Sequence, residues 1–184
     1  MRFDPVIIGG GLAGLIVGCG LLEAGQKVVA VTRGLSLNEA PRNRFISLGG
    51  EYLPGDSVLP GGEWKNDRLL RVYTRNLGKT PLEADNFILS TGKFFSRGLV
   101  TTMDSVREPL FDCLVDYEHD RSRWCTNEFF DRQPFEDFGV RVDDRHRVFL
   151  EEGRIAENVY AAGEILAGQI DIEESALFVC KNLI

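Results

Sequence analysis

Gly9, Gly11 and Gly14 are the residues of this chain best suited to chemistry with a phosphate. In the run Gly9-Gly10-Gly11-Leu12-Ala13-Gly14 they stand at the spacing G-x-G-x-x-G. Gly9 permits a tight turn, Gly11 offers a pyrophosphate bare backbone, and Gly14 lets a helix lie close on a strand. A pyrophosphate there meets unpaired backbone N–H groups and the positive end of a helix dipole. Near the other end of the chain, Val159-Tyr160-Ala161-Ala162 runs into Gly163 and Glu164. A carboxylate just past a strand end accepts hydrogen bonds from a sugar-alcohol chain. Alone, Glu164 reads more simply as an ordinary strand-to-turn acid; together with the glycine motif it reads as a cofactor contact.

These residues need a strand, a turn and a helix in that order, and the flanking sequence supplies them. Pro5-Val6-Ile7-Ile8 is a short apolar run that reads as a buried strand. Leu12 to Ala24 carries apolar residues at helical spacing and is closed by Gly25, with Gly18 extending the small-residue face. Lys27 to Thr32 is a second, β-branched run. Strand, glycine turn, helix, strand is the context that makes the glycine spacing a dinucleotide-binding fingerprint. An acid at the end of the second strand holds the ribose hydroxyls in many such folds. Here Thr32 and Arg33 take its place, which weakens an NAD reading. Thr32 still offers a hydroxyl. Arg33 reads either as a phosphate contact or as a solvated surface charge.

Further along, Leu37 to Arg44 reads as polar and irregular, and Phe45 to Gly50 as the tail of a helix with a glycine cap. Glu51 to Leu53 and Asp56 to Val58 read as short extended pieces around Pro54-Gly55. Glu63-Trp64-Lys65 and Leu69 to Arg75 form a hairpin pattern. Asn86 to Leu89 reads as a strand parallel to the first, ending in the small-residue turn Ser90-Thr91-Gly92. Lys93 to Val100 is a loop with aromatics and two cations. Arg107 to Phe138 reads as loops and short strands, and Phe138 to Val142 is expected to pair with Val148 to Leu150. Arg97 and Arg107 are candidate oxyanion contacts, because a guanidinium holds an oxyanion bidentately; surface charge or a structural ion pair is the competing reading. His119 and His146 lie in charged, turn-like sequence, and neither is assigned a catalytic role.

With 184 residues, 43% hydrophobic and 27% charged, the chain fits one globular α/β domain or a lean two-lobed one. A net charge of -7 disfavours nucleic acid as a general partner. Cys19, Cys113, Cys125 and Cys180 contain no C-x-x-C pair, so neither a metal cluster nor a disulfide framework is expected. Cys19 reads as a small buried side chain on the first helix. Pro5 to Leu22 carries no charge, yet its six glycines suit the strand–turn–helix reading better than a membrane span or leader. A cytoplasmic protein is expected, peripheral at the inner face of the cell membrane only through a partner.

Gly9 to Gly14, Ser90-Thr91-Gly92 and Val159 to Glu164 resemble the three FAD-contacting signatures of the glutathione-reductase-like flavoproteins. More narrowly, the chain resembles the B subunits of anaerobic glycerol-3-phosphate dehydrogenases. The carrying segments include Met1-Arg2-Phe3-Asp4, Val31-Thr32-Arg33-Gly34, Phe94 to Leu99, Arg107-Glu108-Pro109, Gln133 to Val140 and Asn158 to Gly168. The resemblance implies a Rossmann-like FAD-binding domain with a central parallel sheet and a β-hairpin or meander. It implies oxidation of sn-glycerol 3-phosphate to dihydroxyacetone phosphate, electrons passed toward quinone, and subunits A and C as partners. Gly9, Gly11, Leu12, Ala13 and Gly14 would hold the pyrophosphate, and Thr32 and Arg33 would lie by the adenosine. Thr91 and Gly92 would face the cofactor, and Gly163 and Glu164 would reach the ribityl chain. The resemblance also implies a substrate lobe after the glycine motif. Here Arg44 runs straight into Phe45, so residues 1–184 are expected to form a single domain with that lobe reduced or absent and a junction near 44–45. Near the end, Glu173-Glu174-Ser175 is followed by Ala176 where the family has a glycine-rich turn. The competing reading is a flavin-binding or interaction subunit without turnover of its own.

Overall fold

The computed structural model describes residues 1–34, 39–128 and 130–184. The chain opens with β1 (Val6–Ile8), α1 (Leu12–Glu23), β2 (Val29–Thr32), α2 (Glu39–Ser47) and β3 (Glu51–Pro54). An antiparallel unit follows, of β4 (Glu63–Lys65), β5 (Arg68–Val72) and β6 (Leu82–Glu83), and then β7 (Phe87–Leu89). Two small ladders, β8 (Val100–Thr101) with β9 (Val106–Arg107) and β10 (Val115–Asp116) with β11 (Gly139–Val140), lie in the loop-rich middle. The chain closes with β12 (Arg147–Glu151), β13 (Arg154–Ala161) and α3 (Ile172–Leu183).

The central sheet has the order β12-β13-β7-β1-β2-β3. Five of its strands are parallel, and β12 runs antiparallel to β13 at one edge. Val6 stands between Val29 and Phe87, and Phe87 in turn faces Val159. Alternation along the strands divides the core in two. Ile7, Ala30 and Ile88 join the helices on one face, while Val6, Ile8, Val31, Phe87 and Leu89 join the antiparallel unit and the middle loops on the other. A sheet covered on both faces explains why β1 and β7 are apolar throughout.

Glycines on α1 set how closely its neighbours approach. A Cβ on Gly18 would fall against the Phe45 ring of α2, and one on Gly20 against Cys180 Sγ of α3. At its end Gly25, at φ 86°, donates to Leu22 O while Gln26 donates to Leu21 O, a Schellman closure. Gly49 and Gly50 close α2 in the same way, on Ile46 O and Phe45 O. The charge-free Pro5–Leu22 stretch is therefore strand, turn and helix, and among the described residues no helix is long and apolar enough to cross a membrane. Cys19 is half-buried rather than buried, with its thiol toward Pro41 O at 3.8 Å. All four cysteines are free thiols.

Two expectations need correction. The Leu37–Arg44 stretch is helical from Glu39 on, because Phe45 is anchored under α1; Leu37 and Asn38 lie outside the described residues. Arg44 and Phe45 are consecutive residues of α2. The expected pairing of Phe138–Val142 with Val148–Leu150 shrinks to one bridge, Val142 to Val148. Gly139 and Val140 instead pair with Asp116 and Val115.

Asn158 joins the two sheets. Its side chain is buried, accepts from Leu69 N at 2.9 Å and donates to Leu69 O and Asp85 O at 2.8 Å each. Asn158→Ala removes the side-chain partner of Leu69 N and Leu69 O in β5 and is expected to destabilise the fold by about 2 kcal/mol in urea unfolding.

Candidate functional site

The glycine turn is built by the end of β1. Gly9 takes φ 115°, and a Cβ there would fall on the carbonyl oxygen of Ser90. Ser90, at the end of the neighbouring β7, donates its N–H to Ile8 O and its hydroxyl to Gly9 O, both at 2.9 Å. The two parallel strand ends are thereby tied together. Gly11 is the N-cap of α1, with no side-chain cap and no acid in the first turn. The first backbone N–H groups of α1 have no partner within the helix. A Cβ built on Gly11 meets nothing within 4 Å, whereas one on Gly14 would meet Gly9 O, Ser90 Oγ and Ile7 Cγ2. Of the two, Gly11 is bare toward open space and Gly14 is bare toward protein.

That open space is a cleft of about 790 Å³. Gly9, Gly11, Leu12, Ala13, Thr32, Arg33, Thr91, Gly92 and Glu164 all line it. The carboxyl-end corner reaches the glycine turn directly. Gly163, at φ 80°, lies so close to Ala13 that an added Cβ would collide with the Ala13 methyl. Glu164 Oε2 comes within 3.7 Å of a Cβ built on Gly92. Gly14 and Gly163 do not line the cleft; they bring its walls together. Gly163 N donates to the hydroxyl of Ser175 on α3 at 3.0 Å, and that hydroxyl donates to Ile172 O. Ser175→Ala removes a buried acceptor, and is expected to lower stability by about 1–2 kcal/mol in denaturant titration.

Other wall residues carry no sequence motif. Ser57 and Val58 line the cleft because buried Asp56 shapes the turn before them. Its carboxylate accepts from Ser57 N, Asn76 N and Thr74 Oγ1 at 2.7, 2.9 and 2.6 Å. Leu110 is placed by fully buried Glu108, which accepts from Leu110 N at 2.8 Å and Phe111 N at 2.7 Å. Burial pushes the Glu108 carboxyl above its ordinary pKa, opposed by the N–H groups of Phe111 and Leu110. The Asp immediately after Pro54-Gly55 is a readable turn signal; Glu108 has none.

Arg107 does not reach the cleft wall and is paired with Asp112 at 3.0 Å. Arg97 does line the cleft. Lys93, on the same loop, donates to the carbonyl oxygen of Glu136, and burial lowers its pKa against the pull of Asp137 and Glu164. The histidines lie elsewhere, His119 against Tyr117 and His146 against Phe178 at 4.7 and 4.6 Å between ring centroids. Among the described residues no group of His, Cys, Asp and Glu is arranged to hold a metal ion.

The sequence pattern of an FAD binding domain matches residues 33–174 of this chain, from the end of β2 to the first turn of α3. The chain belongs to that family. It is also 36% identical over 160 residues to the B subunit of the anaerobic glycerol-3-phosphate dehydrogenase of Yersinia enterocolitica, covering 82% of this chain and 37% of that protein. The corresponding B subunit of Aliivibrio fischeri is 36% identical over 154 residues, covering 78% and 34%. The chain therefore spans little more than a third of the length of these relatives. Among solved structures, a thioredoxin reductase from Gloeobacter violaceus superposes with a TM-score of 0.60 at 12% identity, covering 99% of this chain and 93% of that one. An oxidoreductase from Agrobacterium tumefaciens does so with 0.60 at 10%, covering 99% and 96%. These likenesses establish the fold, the Rossmann-like architecture of FAD-dependent oxidoreductases.

The cleft of this FAD binding domain fits its cofactor. The space above Gly11 is one that a side chain of any size would intrude on. The helix end beside it carries no competing acid. The Thr91 hydroxyl oxygen, on the cleft wall, is buried without a hydrogen-bond partner among the described residues.

Proposed function

We propose that this chain holds one FAD in the cleft and serves as the flavin-carrying unit of a dehydrogenase. That dehydrogenase oxidises sn-glycerol 3-phosphate to dihydroxyacetone phosphate and passes electrons toward quinone. The observation that carries the reading is the continuity of one cleft from bare Gly11 to the Gly92–Glu164 corner. In it Gly9, Gly11, Leu12 and Ala13 hold the pyrophosphate at the positive end of α1, with Gly14 supporting the turn. Thr32 and Arg33 lie by the adenosine. Thr91 and Gly92 face the cofactor, and Glu164, carried by Gly163, accepts from the ribityl hydroxyls. A bound flavin supplies hydride and electron transfer; the chain binds and orients it. Residues 1–184 act as one domain, within a complex that includes subunits A and C and makes any membrane contact through them.

One observation favours a second reading, a flavin carrier without turnover of its own. Among the described residues lining the cleft, the charged ones are Arg33, Arg97 and Glu164, and no histidine is present as a base. The purified chain is expected to be yellow, and to bleach anaerobically on addition of sn-glycerol 3-phosphate. Colour that persists selects the second reading, and a colourless chain that takes up no added FAD defeats both.

A further inference from the structure

The loop after Gly92 carries a guanidinium that the other described residues leave unused. Among the described residues the Arg97 side chain has no hydrogen bond or ion pair, although Arg97 lines the cleft. Its backbone sits at φ 60°, the left-handed region that strains a residue bearing a side chain. Strain of this kind persists where the surroundings impose it, and it concentrates at ligand sites. Here the surroundings do impose it. Ser96 Oγ donates to Thr91 O at 2.6 Å, and Gly98 N donates to Lys93 O at 2.8 Å. Gly98 packs so tightly that a Cβ would fall on the carbonyl oxygen of Gly92. The loop is thus fastened to the corner where Gly92 meets Glu164. Two other cations of this part of the chain are committed, Lys93 to Glu136 O and Arg107, the other candidate oxyanion contact, to Asp112.

The diphosphate of the cofactor is met over Gly11 by the end of α1, which leaves the Arg97 charge for a second oxyanion. We propose that Arg97 receives the phosphate of the substrate, a phosphomonoester dianion entering at the Gly92–Glu164 corner. The inference rests on the FAD reading above. A guanidinium presents parallel N–H groups to two phosphate oxygens at once. Two arginines against one carboxylate also leave the cleft wall positive within a chain of net charge -7, and such a cleft concentrates small anions.

The test uses the flavin-loaded chain, titrated calorimetrically with sn-glycerol 3-phosphate, inorganic phosphate and glycerol. The wild type is expected to bind the two phosphates and not glycerol. Arg97→Gln should keep a full complement of flavin and weaken both phosphates by about ten- to a hundredfold. Arg97→Lys should retain part of the affinity as a point charge. Arg97→Gly should lose it while raising the melting temperature by about 2–4 °C, since glycine relieves the backbone. Equal phosphate binding by wild type and Arg97→Gln overturns the proposal, as does a flavin-loaded wild type that binds neither phosphate. Loss of flavin from Arg97→Gln overturns it too, by assigning the guanidinium to the cofactor's diphosphate. A wild type that takes up no FAD fails at the earlier step, the FAD reading itself.

Discussion

Gly11→Val is expected to give a folded chain that carries no FAD. The backbone at Gly11, φ −77° and ψ −173°, is extended and open to any residue. A Cβ there meets no protein atom within 4 Å. The fold therefore loses only the small preference for glycine over a branched residue at an N-cap, under about 1 kcal/mol. The same methyl groups stand where the pyrophosphate must approach the N–H groups of α1. Removing that approach forfeits several charge-assisted hydrogen bonds together, each about 1.5–3 kcal/mol, so affinity should fall by more than about a thousandfold. Flavin content after gel filtration, read beside a thermal melt, checks both halves. Stoichiometric flavin in a folded Gly11→Val protein defeats the assignment of the site.

Gly14→Ala is expected to fail in the opposite way, by loss of stability. One turn further along α1, a methyl group would be driven into the carbonyl oxygen of Gly9, with Ser90 Oγ and Ile7 Cγ2 behind it. None of these can yield freely. Gly9 O is backbone at a turn fixed by φ 115°, and Ser90 Oγ is bonded to it. Overpacking of this kind ordinarily costs about 1–3 kcal/mol, and more against rigid backbone. About 4 kcal/mol is expected here, a large share of the 5–15 kcal/mol typical of a whole domain. Urea unfolding without added FAD is the measurement, because it separates the loss of packing from any loss of ligand. A midpoint within error of wild type would show that α1 can back away from β1.

The two substitutions also show which parts of the site were legible in the sequence. The glycine spacing, the apolar run before it and the helical period after it point to one arrangement, and the structure has it. The Ser90-Thr91-Gly92 and Gly163-Glu164 corners were legible for the same reason, each being the apolar end of a strand that runs into small residues. The helix over Glu39–Ser47 was not. Its one buried side chain is Phe45, so no apolar stripe marks it, and what holds Phe45 is the bare face of α1 at Gly18. The wall at Leu110 was hidden because a buried carboxylate, Glu108, places it through backbone N–H groups. A charged residue gives no local sign that it will be buried. The pairing of β10 with β11 was hidden because two-residue strands carry no period to read. Arg107 lies off the cleft wall in an ion pair with its neighbour Asp112, which composition alone does not distinguish from a free cation.

The contact between Gly163 and Ala13 has a consequence for how occupancy is communicated. The first turn of α1 and the segment that leads into α3 lie at opposite ends of the described sequence, yet one nucleotide would touch both. Loading the cleft should therefore slow amide hydrogen exchange at Leu12–Gly14 and at Gly163–Ile165 in concert, as if a single clasp had closed. A nascent polypeptide would remain unable to retain the nucleotide until its Gly163 segment had cleared the ribosome and met the glycine turn.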